Sequence, residues 1–530
     1  MEQQSESAGL ALRASLSAVP RGAVLPVALF AWFAATAWLR PLAIPDEGRY
    51  VGVALEMLWS GNWLVPTLDT LPYFHKPPLF YWLTAASLGT FGINVWAARL
   101  APLIAATGCA YAVYLFVRRW VSEDRANAAL LVLATTPFFY GGAQYANLDM
   151  LVAACISATI LCAVHSVLAA EGDGRLPRRS LAGAYAFAAL GVLAKGLIGI
   201  AIPAMVIVLW LLIVRRPGMI LRLVWLPGLA LFSAIAAPWF ALMQARYPGF
   251  FEYFFVRHHF QRFVTQEFNN QQPFWFMFAA FAGVTLPWCA LLVGGMRRRA
   301  QVPDVGVPRQ VEALMWVWLV STLIFFSIPR SKLIGYVLVA VPPFAVLVME
   351  ALARVGGSQA GERRLGLRMA TVGVALCAVA LGGALMLDRD HTPRLAAELR
   401  PLMSSPKDAV LVLRGYPFSL PFYLRHAPPL HVAEEWDQPW ILQKDSWRRE
   451  LFEAAEFNAQ PARGVLLKPA EAARFLACAR QTVWVIGRPN IAQAWLPQLP
   501  ELERVAEVAG DTIWRKRPSA AAGARADCGP

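Results

Sequence analysis

Residues 148–170 read LDMLVAACISATILCAVHSVLAA, an apolar run whose one charge stands at its second position and which is long enough to cross a bilayer as a helix. Similar runs recur along the chain from Val24 to the neighbourhood of Asp388. Of the 530 residues, 58% are hydrophobic and only 15% are charged, and the mean hydropathy is +0.47. A soluble domain carries about 25% charged residues. The composition therefore excludes an ordinary soluble enzyme and predicts a polytopic α-helical membrane protein.

The apolar runs predict between eleven and thirteen transmembrane helices. A twelfth segment, residues 77–91, is short and suits a half-spanning or interfacial helix. The pair Pro342-Pro343 is expected to split the helix around it. The eleven segments that we expect to span the membrane are residues 24–43, 96–117, 126–141, 148–170, 180–196, 197–214, 223–243, 273–295, 312–328, 333–352 and 367–387.

The distribution of positive charge predicts the orientation. Loops on one side of the predicted membrane carry roughly twice as many Lys and Arg residues as loops on the other, and such loops stay in the cytoplasm. The excess of Lys and Arg in these cytoplasmic loops accounts for much of the net charge of +14, so no nucleic-acid partner is implied. An odd number of crossings places the last 140 or so residues outside, with two long connections, residues 44–76 (the first outer loop) and 244–272 (the second outer loop).

The chain divides into four parts by composition: a cytoplasmic tail, 1–23; a transmembrane catalytic domain, 24–387; a periplasmic domain, 388–518; and a tail expected to be disordered, 519–530. Beyond residue 388, short β-branched runs alternate with helical segments, as in a small α/β domain. The runs are 409–413, 464–467 and 482–486, and one helical segment is 444–457. The cysteines show no CxxC pair and no spacing typical of a disulfide framework.

The first outer loop opens with Pro45-Asp46-Glu47-Gly48-Arg49-Tyr50. Two carboxylates and an arginine at the edge of a bilayer are costly to desolvate, so they either face water or have a function. In the simpler interpretation, Asp46 caps a helix predicted over residues 47–60 and Glu47 complements its dipole. Capping does not exclude chemistry at the same carboxylate.

The same loop ends with Tyr73-Phe74-His75-Lys76-Pro77-Pro78. A residue before proline is driven towards an extended conformation, and proline is tolerated at the start of a helix. Lys76 is therefore predicted in a fixed turn at a helix N-terminus, which is a favourable place for an anion. The simpler alternative is a lysine that snorkels beside an aromatic belt.

Isolated charges follow on the outer side of later spans. Asp149 begins the fourth span and, taken alone, is better explained as an N-cap. Lys195 and the Arg330-Ser331-Lys332 turn near Tyr336 lie where the positive-inside rule disfavours cations, so they either bind a ligand or contact headgroups.

Histidines of the outer loops leave a metal site open. His258 and His259 are adjacent and cannot both face one ligand from a regular helix, so these two alone do not predict a site. A divalent metal held across the loops by His75, Glu47 and His258 is an alternative to a mechanism that needs no cofactor.

The outer face thus combines carboxylates with cations at the membrane edge. Cations suit a phosphate headgroup, and a carboxylate suits an amine, a sugar hydroxyl or a proton to be removed. A lipid-linked phosphate that enters sideways from the bilayer fits both. A flippase or secondary transporter is the alternative of a different class, but such proteins place ionisable residues near the midplane and often contain repeats, and this sequence shows neither.

These motifs resemble those of the polyprenyl-phosphate-sugar glycosyltransferases of the GT-C fold, which are relatives of the protein O-mannosyltransferases. The strings IPDEGRY at 44–50 and YFHKPPL at 73–79 carry this resemblance. The strings NLDM at 147–150, LAKG at 193–196 and RSKLIGY at 330–336 are similar to the lipid A aminoarabinose transferase family. The resemblance extends from residue 25 to about residue 350, and the C-terminal domain adds little to it.

The resemblance implies transfer of 4-amino-4-deoxy-L-arabinose from undecaprenyl phosphate to a lipid A phosphate, on the periplasmic face of a Gram-negative inner membrane, with polymyxin resistance as the result. It implies Asp46 and Asp149 as the catalytic acids and Lys76 and Tyr336 as ligands of the donor phosphate. Further substrate-binding candidates are Arg49, Tyr50, Tyr73, Lys195 and Arg262. We expect a monomer whose partners are the lipid-linked donor, lipid A and the membrane. Transfer to another acceptor, such as a protein hydroxyl, is the alternative within this class.

Overall fold

The computed structural model describes residues 21–518, apart from 262–269, 303, 428, 444 and 498–500. Within these residues a bundle of helices is followed by a domain with a six-stranded sheet. The helices of the bundle are Arg21–Ala34, Asp46–Ser60, Leu79–Phe91, Val95–Ala98, Leu100–Trp120, Glu123–Thr135, Pro137–Ala143, Asp149–Asp173, Arg178–Lys195, Ile198–Ile213, Gly218–Leu223, Leu226–Arg246, Glu252–Gln261, Phe276–Val284, Trp288–Arg298, Arg309–Ser327, Ile334–Ala340, Val341–Gly356 and Gln359–Met386.

The helices confirm a polytopic membrane protein. Among the described residues, six helices are long and apolar enough to cross a membrane, or eight if two bent pairs each count as one span. The bends in these pairs are 70° and 105°. Every one of the eleven predicted segments overlaps a helix or a bent pair of the bundle. Several of these helices are shorter than a full span, so the number of crossings stays a prediction.

The segment expected to split at Pro342-Pro343 changes its helix type at this point. Residues Ile334–Ala340 form a 3-10 helix, and the α-helix Val341–Gly356 follows directly. Both prolines lie in the first turn of this α-helix, where the backbone N–H groups need no partner within the helix. The prolines therefore mark the start of the α-helix.

The first outer loop begins with a helix, as predicted. This first-loop helix, Asp46–Ser60, buries most of its middle part. Gly48 allows the C-terminal domain to approach closely, since a Cβ atom at this position would lie 3.0 Å from the backbone nitrogen of Ser419. The first outer loop is therefore packed between the helical bundle and the C-terminal domain.

A short hairpin follows the first-loop helix. Its strands are β1 (Thr67–Leu68) and β2 (Leu71–Pro72), and the two residues between them, Asp69 and Thr70, both have positive φ, as a type I′ turn requires. Glu56 of the first-loop helix holds this turn, because its carboxylate accepts hydrogen bonds from the N–H groups of both turn residues, at 2.6 and 3.0 Å.

The C-terminal domain has the expected α/β architecture. Its strand order is β5-β4-β3-β6-β8-β7, in which β5, β4, β3 and β6 are parallel and β8 and β7 continue the sheet antiparallel. The strands are β3 (Ala409–Leu413), β4 (Leu430–Ala433), β5 (Leu466–Leu467), β6 (Val483–Gly487), β7 (Glu503–Val508) and β8 (Asp511–Lys516), and the helices are Thr392–Leu399, Leu420–Leu424, Pro439–Ile441, Trp447–Glu456, Ala459–Val465, Pro469–Cys478 and Pro489–Trp495.

Sequence patterns located only part of this sheet. The run 464–467 forms a strand over Leu466–Leu467 alone, because the preceding residues close a helix. The edge strand Glu503–Val508 escaped the prediction because it is half exposed and rich in charge. Cys478 is disulfide-bonded, which the cysteine spacing did not predict.

Candidate active site

Asp46 and Asp149 line a common cavity of about 1090 Å³. Asp46 begins the first-loop helix and Asp149 begins a long bundle helix, so two separate elements bring their carboxylates to one space. Apolar residues such as Leu338, Leu376 and Val379 make up much of the remaining wall. An apolar wall with a few convergent polar groups is the usual composition of a small-molecule site.

Asp149 does not cap its helix. One carboxylate oxygen forms an ion pair with Lys195, and the other accepts a hydrogen bond from the Asn147 side chain at 3.1 Å. Asn147 in turn accepts a hydrogen bond from the backbone N–H of Asp149 at 2.9 Å. The N-cap interpretation of Asp149 was wrong, because the neighbouring asparagine accepts the backbone bond and frees the carboxylate for Lys195.

Lys195 joins Asp149 to Tyr336. Its ammonium lies 4.5 Å from the centroid of the Tyr336 ring, which is a cation–π contact. Gly335 makes this approach possible, since a Cβ atom there would lie 2.1 Å from a carboxylate oxygen of Asp149. Three predicted site residues, which come from different helices, therefore meet, and Asp149 is the one of the three that lines the cavity.

Asp46 is paired with Arg49 and caps no backbone group. It is the first residue of the first-loop helix, and its Oδ1 accepts a hydrogen bond from Arg49 Nη2 at 2.5 Å. The guanidinium lies over the Tyr50 ring at 5.1 Å. The Asp46 side chain remains 39% exposed, whereas that of Arg49 is 14% exposed. The cap interpretation was therefore wrong, and the carboxylate stays accessible from the cavity.

Glu450 of the C-terminal domain is the second partner of Arg49. It forms an ion pair with Arg49 Nη1 and accepts a hydrogen bond from the Tyr73 hydroxyl at 3.4 Å. Burial raises the pKa of Glu450, and the neighbouring Arg49 opposes this rise. Burial and the nearby Glu450 also raise the pKa of Tyr73, which is only 1% exposed. Tyr73 therefore lies next to the Arg49–Glu450 ion pair and is shielded from solvent.

Lys76 occupies the predicted turn. It is half-buried between β2 and the helix Leu79–Phe91, and it is not one of the residues that line the 1090 Å³ cavity. The ring of its neighbour His75 stacks on Tyr73 at 4.5 Å, and His75 Nε2 lies 3.7 Å from Glu453.

Glu47, which was predicted as a possible metal ligand, is surrounded by hydrogen-bond donors of the protein. It is fully buried, and its carboxylate accepts hydrogen bonds from Arg99, from Arg40 and from the N–H groups of Ala43 and Ala146. Burial raises the pKa of Glu47, but the two arginines outweigh burial and lower it overall. Since both oxygens are surrounded by donors, this geometry does not present Glu47 to a cation.

His75, the other predicted metal ligand whose side chain the structure describes, forms no such cluster with Glu47. In the described part of the chain, no group of three or more His, Cys, Asp or Glu side chains is arranged to hold a metal. The side chain of His258, and Arg262 as a whole, lie outside what the structure describes.

Arg330 and Lys332 lie at a different place from the two aspartates. Both line a smaller cavity of about 410 Å³, together with Gln271 and Gln272. Lys332 is only 4% exposed, and its ammonium donates a hydrogen bond to the backbone oxygen of Gln272 at 2.8 Å. Lys332 therefore holds the end of the second outer loop.

Sequence reasoning missed Glu450 and Arg99. Glu450 lies 401 positions from Arg49 in a domain without a recognisable motif, so no local pattern connects the two. Arg99 is fully buried against Glu47. For Arg99, the available signal was its position within an otherwise apolar segment.

Comparison with known proteins shows what the chain is similar to. Residues 75–241 match the family model of the dolichyl-phosphate-mannose-protein mannosyltransferases. Proteins named undecaprenyl phosphate-alpha-4-amino-4-deoxy-L-arabinose arabinosyl transferase are 33% identical over 343 residues in Erwinia tasmaniensis and 31% identical over 349 residues in Pseudomonas aeruginosa. The alignments cover 62% and 64% of this chain and 60% and 61% of the relatives. The chain thus spans about three fifths of the length of these relatives.

The structural similarity covers more of the chain than the sequence alignments do. The crystal structure of ArnT from Cupriavidus metallidurans bound to undecaprenyl phosphate superposes with a TM-score of 0.77 at 24% identity, covering 96% of this chain and 99% of that one. Its apo form gives a TM-score of 0.75.

The fold and the site define a polytopic membrane protein that shares its fold with the ArnT crystal structures. Over about three fifths of its length, its sequence is similar to proteins named undecaprenyl phosphate-alpha-4-amino-4-deoxy-L-arabinose arabinosyl transferase.

Proposed function

We propose that this protein transfers 4-amino-4-deoxy-L-arabinose from undecaprenyl phosphate to a phosphate of lipid A and thereby gives resistance to polymyxin. The observation that carries the proposal is the common cavity of Asp46 and Asp149, in which an apolar wall meets two carboxylates, each paired with a cation. The names of the relatives support the donor. The acceptor follows from the sequence resemblance.

The proposed reaction exchanges one bond at the anomeric carbon for another. The bond to the oxygen of undecaprenyl phosphate breaks, and an oxygen of the lipid A phosphate forms the new bond. Because the acceptor phosphate is already an anion, the reaction does not need a general base. The larger demand is to stabilise the phosphate that leaves, for which cations in a partly dehydrated site are suited.

The cations near the two carboxylates are proposed to hold the donor phosphate. Arg49 offers a planar, permanently charged fork, which suits a phosphate better than a flexible point charge does. Lys76 and Tyr336 are assigned to the same phosphate by the sequence resemblance. Lys195, which touches the Tyr336 ring, adds positive charge on the Asp149 side of the cavity.

The two aspartates have different environments and are assigned different roles. Asp46 is 39% exposed and touches one partner, so it is the group proposed to bind the ammonium of the sugar or to orient the acceptor. Asp149 is 13% exposed and has both oxygens occupied, so it is proposed to position Lys195. Tyr50 and Tyr73 are proposed to hold Arg49 in place, Tyr50 through its ring contact with the guanidinium and Tyr73 through its hydrogen bond to Glu450.

We further infer that the site and the C-terminal domain, residues 388–518, face the periplasm and that the protein acts as a monomer. The excess of Lys and Arg in the opposite loops supports this orientation. The disulfide at Cys478 also supports it, since disulfides persist in oxidising compartments such as the periplasm.

The proposal is tested by expression in a Gram-negative strain that lacks its own aminoarabinose transferase. We expect lipid A to gain the mass of one or two aminopentose units, and we expect D46A and K76A to abolish the gain at unchanged protein level. Unmodified lipid A together with newly glycosylated protein would identify the other acceptor class. Transport of a lipid-linked sugar across proteoliposomes without transfer would identify a flippase.

A further inference from the structure

One helix of the C-terminal domain, Trp447–Glu456, contacts both outer loops; we call it the interdomain helix. Its residues Glu450 and Glu453 are three positions apart, so they lie on neighbouring parts of one helix face. Glu450 contacts Arg49 and Tyr73 of the first outer loop. Both glutamates are buried.

Glu453 contacts the second outer loop. Its Oε2 accepts a hydrogen bond from the Tyr253 hydroxyl at 3.0 Å, and its Oε1 lies 3.0 Å from Arg257 Nη2. On the interdomain helix itself, Arg449 donates to the same Oε1 at 2.7 Å. Glu453 also lies 3.7 Å from His75 Nε2 of the first outer loop. The two glutamates therefore have similar burial and similar chemistry, but only Glu450 contacts Arg49.

Arg49 is fixed at two of its three nitrogens. Nη1 is bound by Glu450 and Nη2 by Asp46, while Nε is buried and has no hydrogen-bond partner among the described residues. The guanidinium plane lies between aromatic rings, 5.1 Å from the centroid of Tyr50 and 5.8 Å from that of Phe418. An arginine held in this way has lost its rotational freedom before any ligand arrives.

Glu450 itself is firmly placed by the docking of its domain. Near Gly48, the loop that contains Phe418 and Ser419 packs against the first-loop helix. The Tyr423 hydroxyl accepts a hydrogen bond from the backbone N–H of Leu42 at 2.8 Å, just before that helix. The C-terminal domain is therefore bonded to the segment that carries Asp46 and Arg49 at several points.

We propose that Glu450 is a positioning residue that fixes the guanidinium of Arg49 for the phosphate of the lipid-linked donor, so that the C-terminal domain completes the donor site. This inference rests on the proposed function, because it takes Arg49 as a ligand of that phosphate. The physical benefit is preorganisation: a long side chain that is already ordered loses no further rotational freedom when the ligand binds, which strengthens binding.

The decisive comparison is E450A against E453A. Both remove a buried carboxylate from the interdomain helix, but only E450A releases Arg49. We expect E450A to raise KM for the lipid-linked sugar at least tenfold with a smaller change in kcat, and to weaken the binding of undecaprenyl phosphate by a similar factor. E453A is expected to lower Tm to a comparable degree while both values change less than threefold. E450Q, which keeps an oxygen acceptor, is expected to lie between the wild type and E450A.

Donor KM and the Kd for undecaprenyl phosphate are measured on the purified full-length protein in nanodiscs, and Tm checks folding. The inference is overturned if neither value changes in E450A and E450Q, or if E453A changes them as much, since the role of Glu450 would then be only structural. If the wild type binds undecaprenyl phosphate but transfers no sugar, the proposed function fails and the Kd comparison still decides the role of Glu450. If the wild type binds no undecaprenyl phosphate, both fail.

Discussion

Glu47 and Arg99 form a fully buried, two-pronged ion pair: Arg99 Nε lies 2.9 Å from Glu47 Oε1, and Arg99 Nη2 lies 2.9 Å from Glu47 Oε2. Arg99 also donates to the backbone oxygens of Ala37, Arg40 and Pro41. The pair therefore connects the end of the first span, the first-loop helix and the start of a bundle helix. Since Asp46 directly precedes Glu47, the same pair anchors the backbone that carries the candidate catalytic carboxylate.

E47Q is expected to destabilise the protein strongly. The substitution removes the negative charge between two arginines and leaves Arg99 buried without a counter-ion, which costs about 3–5 kcal/mol for a buried pair. We expect a loss of several degrees in Tm, measured by differential scanning fluorimetry in detergent. E171Q is a matched control, because Glu171 and Arg216 form a pair with side chains 37% and 35% exposed, for which about 1 kcal/mol or less is expected. Equal effects of the two variants would contradict this account.

G335A is expected to inactivate the protein with little effect on its stability. The added Cβ would lie 2.1 Å from Asp149 Oδ2, so the carboxylate must move and its contact with Lys195 is disturbed. A displacement of about 1 Å at a reacting centre costs roughly 100-fold in rate, which is the loss we expect in sugar transfer. G108A, where an added Cβ meets no atom within 4 Å, serves as the control and is expected to keep full activity. A fully active G335A would remove Asp149 from the proposed site.

The stability of the protein is expected to fall as the pH rises from 5 to 8. Burial raises the pKa of Glu56 from 4.5 to about 7, and burial and Glu56 also raise the pKa of Asp69. A group whose pKa is raised on folding contributes stability that is fully present below its unfolded pKa and is lost as the pH rises through its folded pKa. The shift of Glu56 corresponds to about 3 kcal/mol.

The pH dependence is checked by recording Tm between pH 5 and pH 8 for the wild type and E56Q. The variant does not titrate at position 56, so its Tm is expected to vary less with pH. An identical pH dependence in the two proteins would show that Glu56 does not titrate in this range. E56Q also exchanges one carboxyl oxygen for an amide that cannot accept from the turn 69–70, so its Tm is expected to be lower than that of the wild type at pH 5, and the difference is expected to narrow towards pH 8 as Glu56 ionises.

The membrane fold was predictable because its signal is local. A helix in lipid must satisfy its backbone internally and cover itself with apolar side chains, and each such run is visible in the sequence. The same holds for Asp46, Lys76 and Asp149, which are conspicuous as charges next to apolar runs. The paired partners Asp149 and Lys195 are 46 positions apart, and both were singled out as candidates, yet only the packing of their helices shows that they meet.

The contribution of the C-terminal domain was not predictable from the sequence. Glu450 is one of several charges in an amphipathic helix of ordinary composition, and its burial results from docking on a loop 401 positions away. Similarly, the interpretation of Asp46 and Asp149 as helix caps was reasonable by position. It failed because Arg49, three residues along the same helix, pairs with Asp46, and Lys195, from another helix, pairs with Asp149.

The most direct test of the central claim is transfer by the purified protein with a defined lipid-linked donor. The full-length protein in nanodiscs is incubated with undecaprenyl phosphate-linked 4-amino-4-deoxy-L-arabinose and lipid A, and both products are quantified by mass spectrometry. We predict that the wild type forms aminoarabinose-modified lipid A and undecaprenyl phosphate in equal amounts, and that D46N, with an unchanged Tm, forms neither. Absence of modified lipid A with the wild type, or equal rates for the wild type and D46N, would contradict the account.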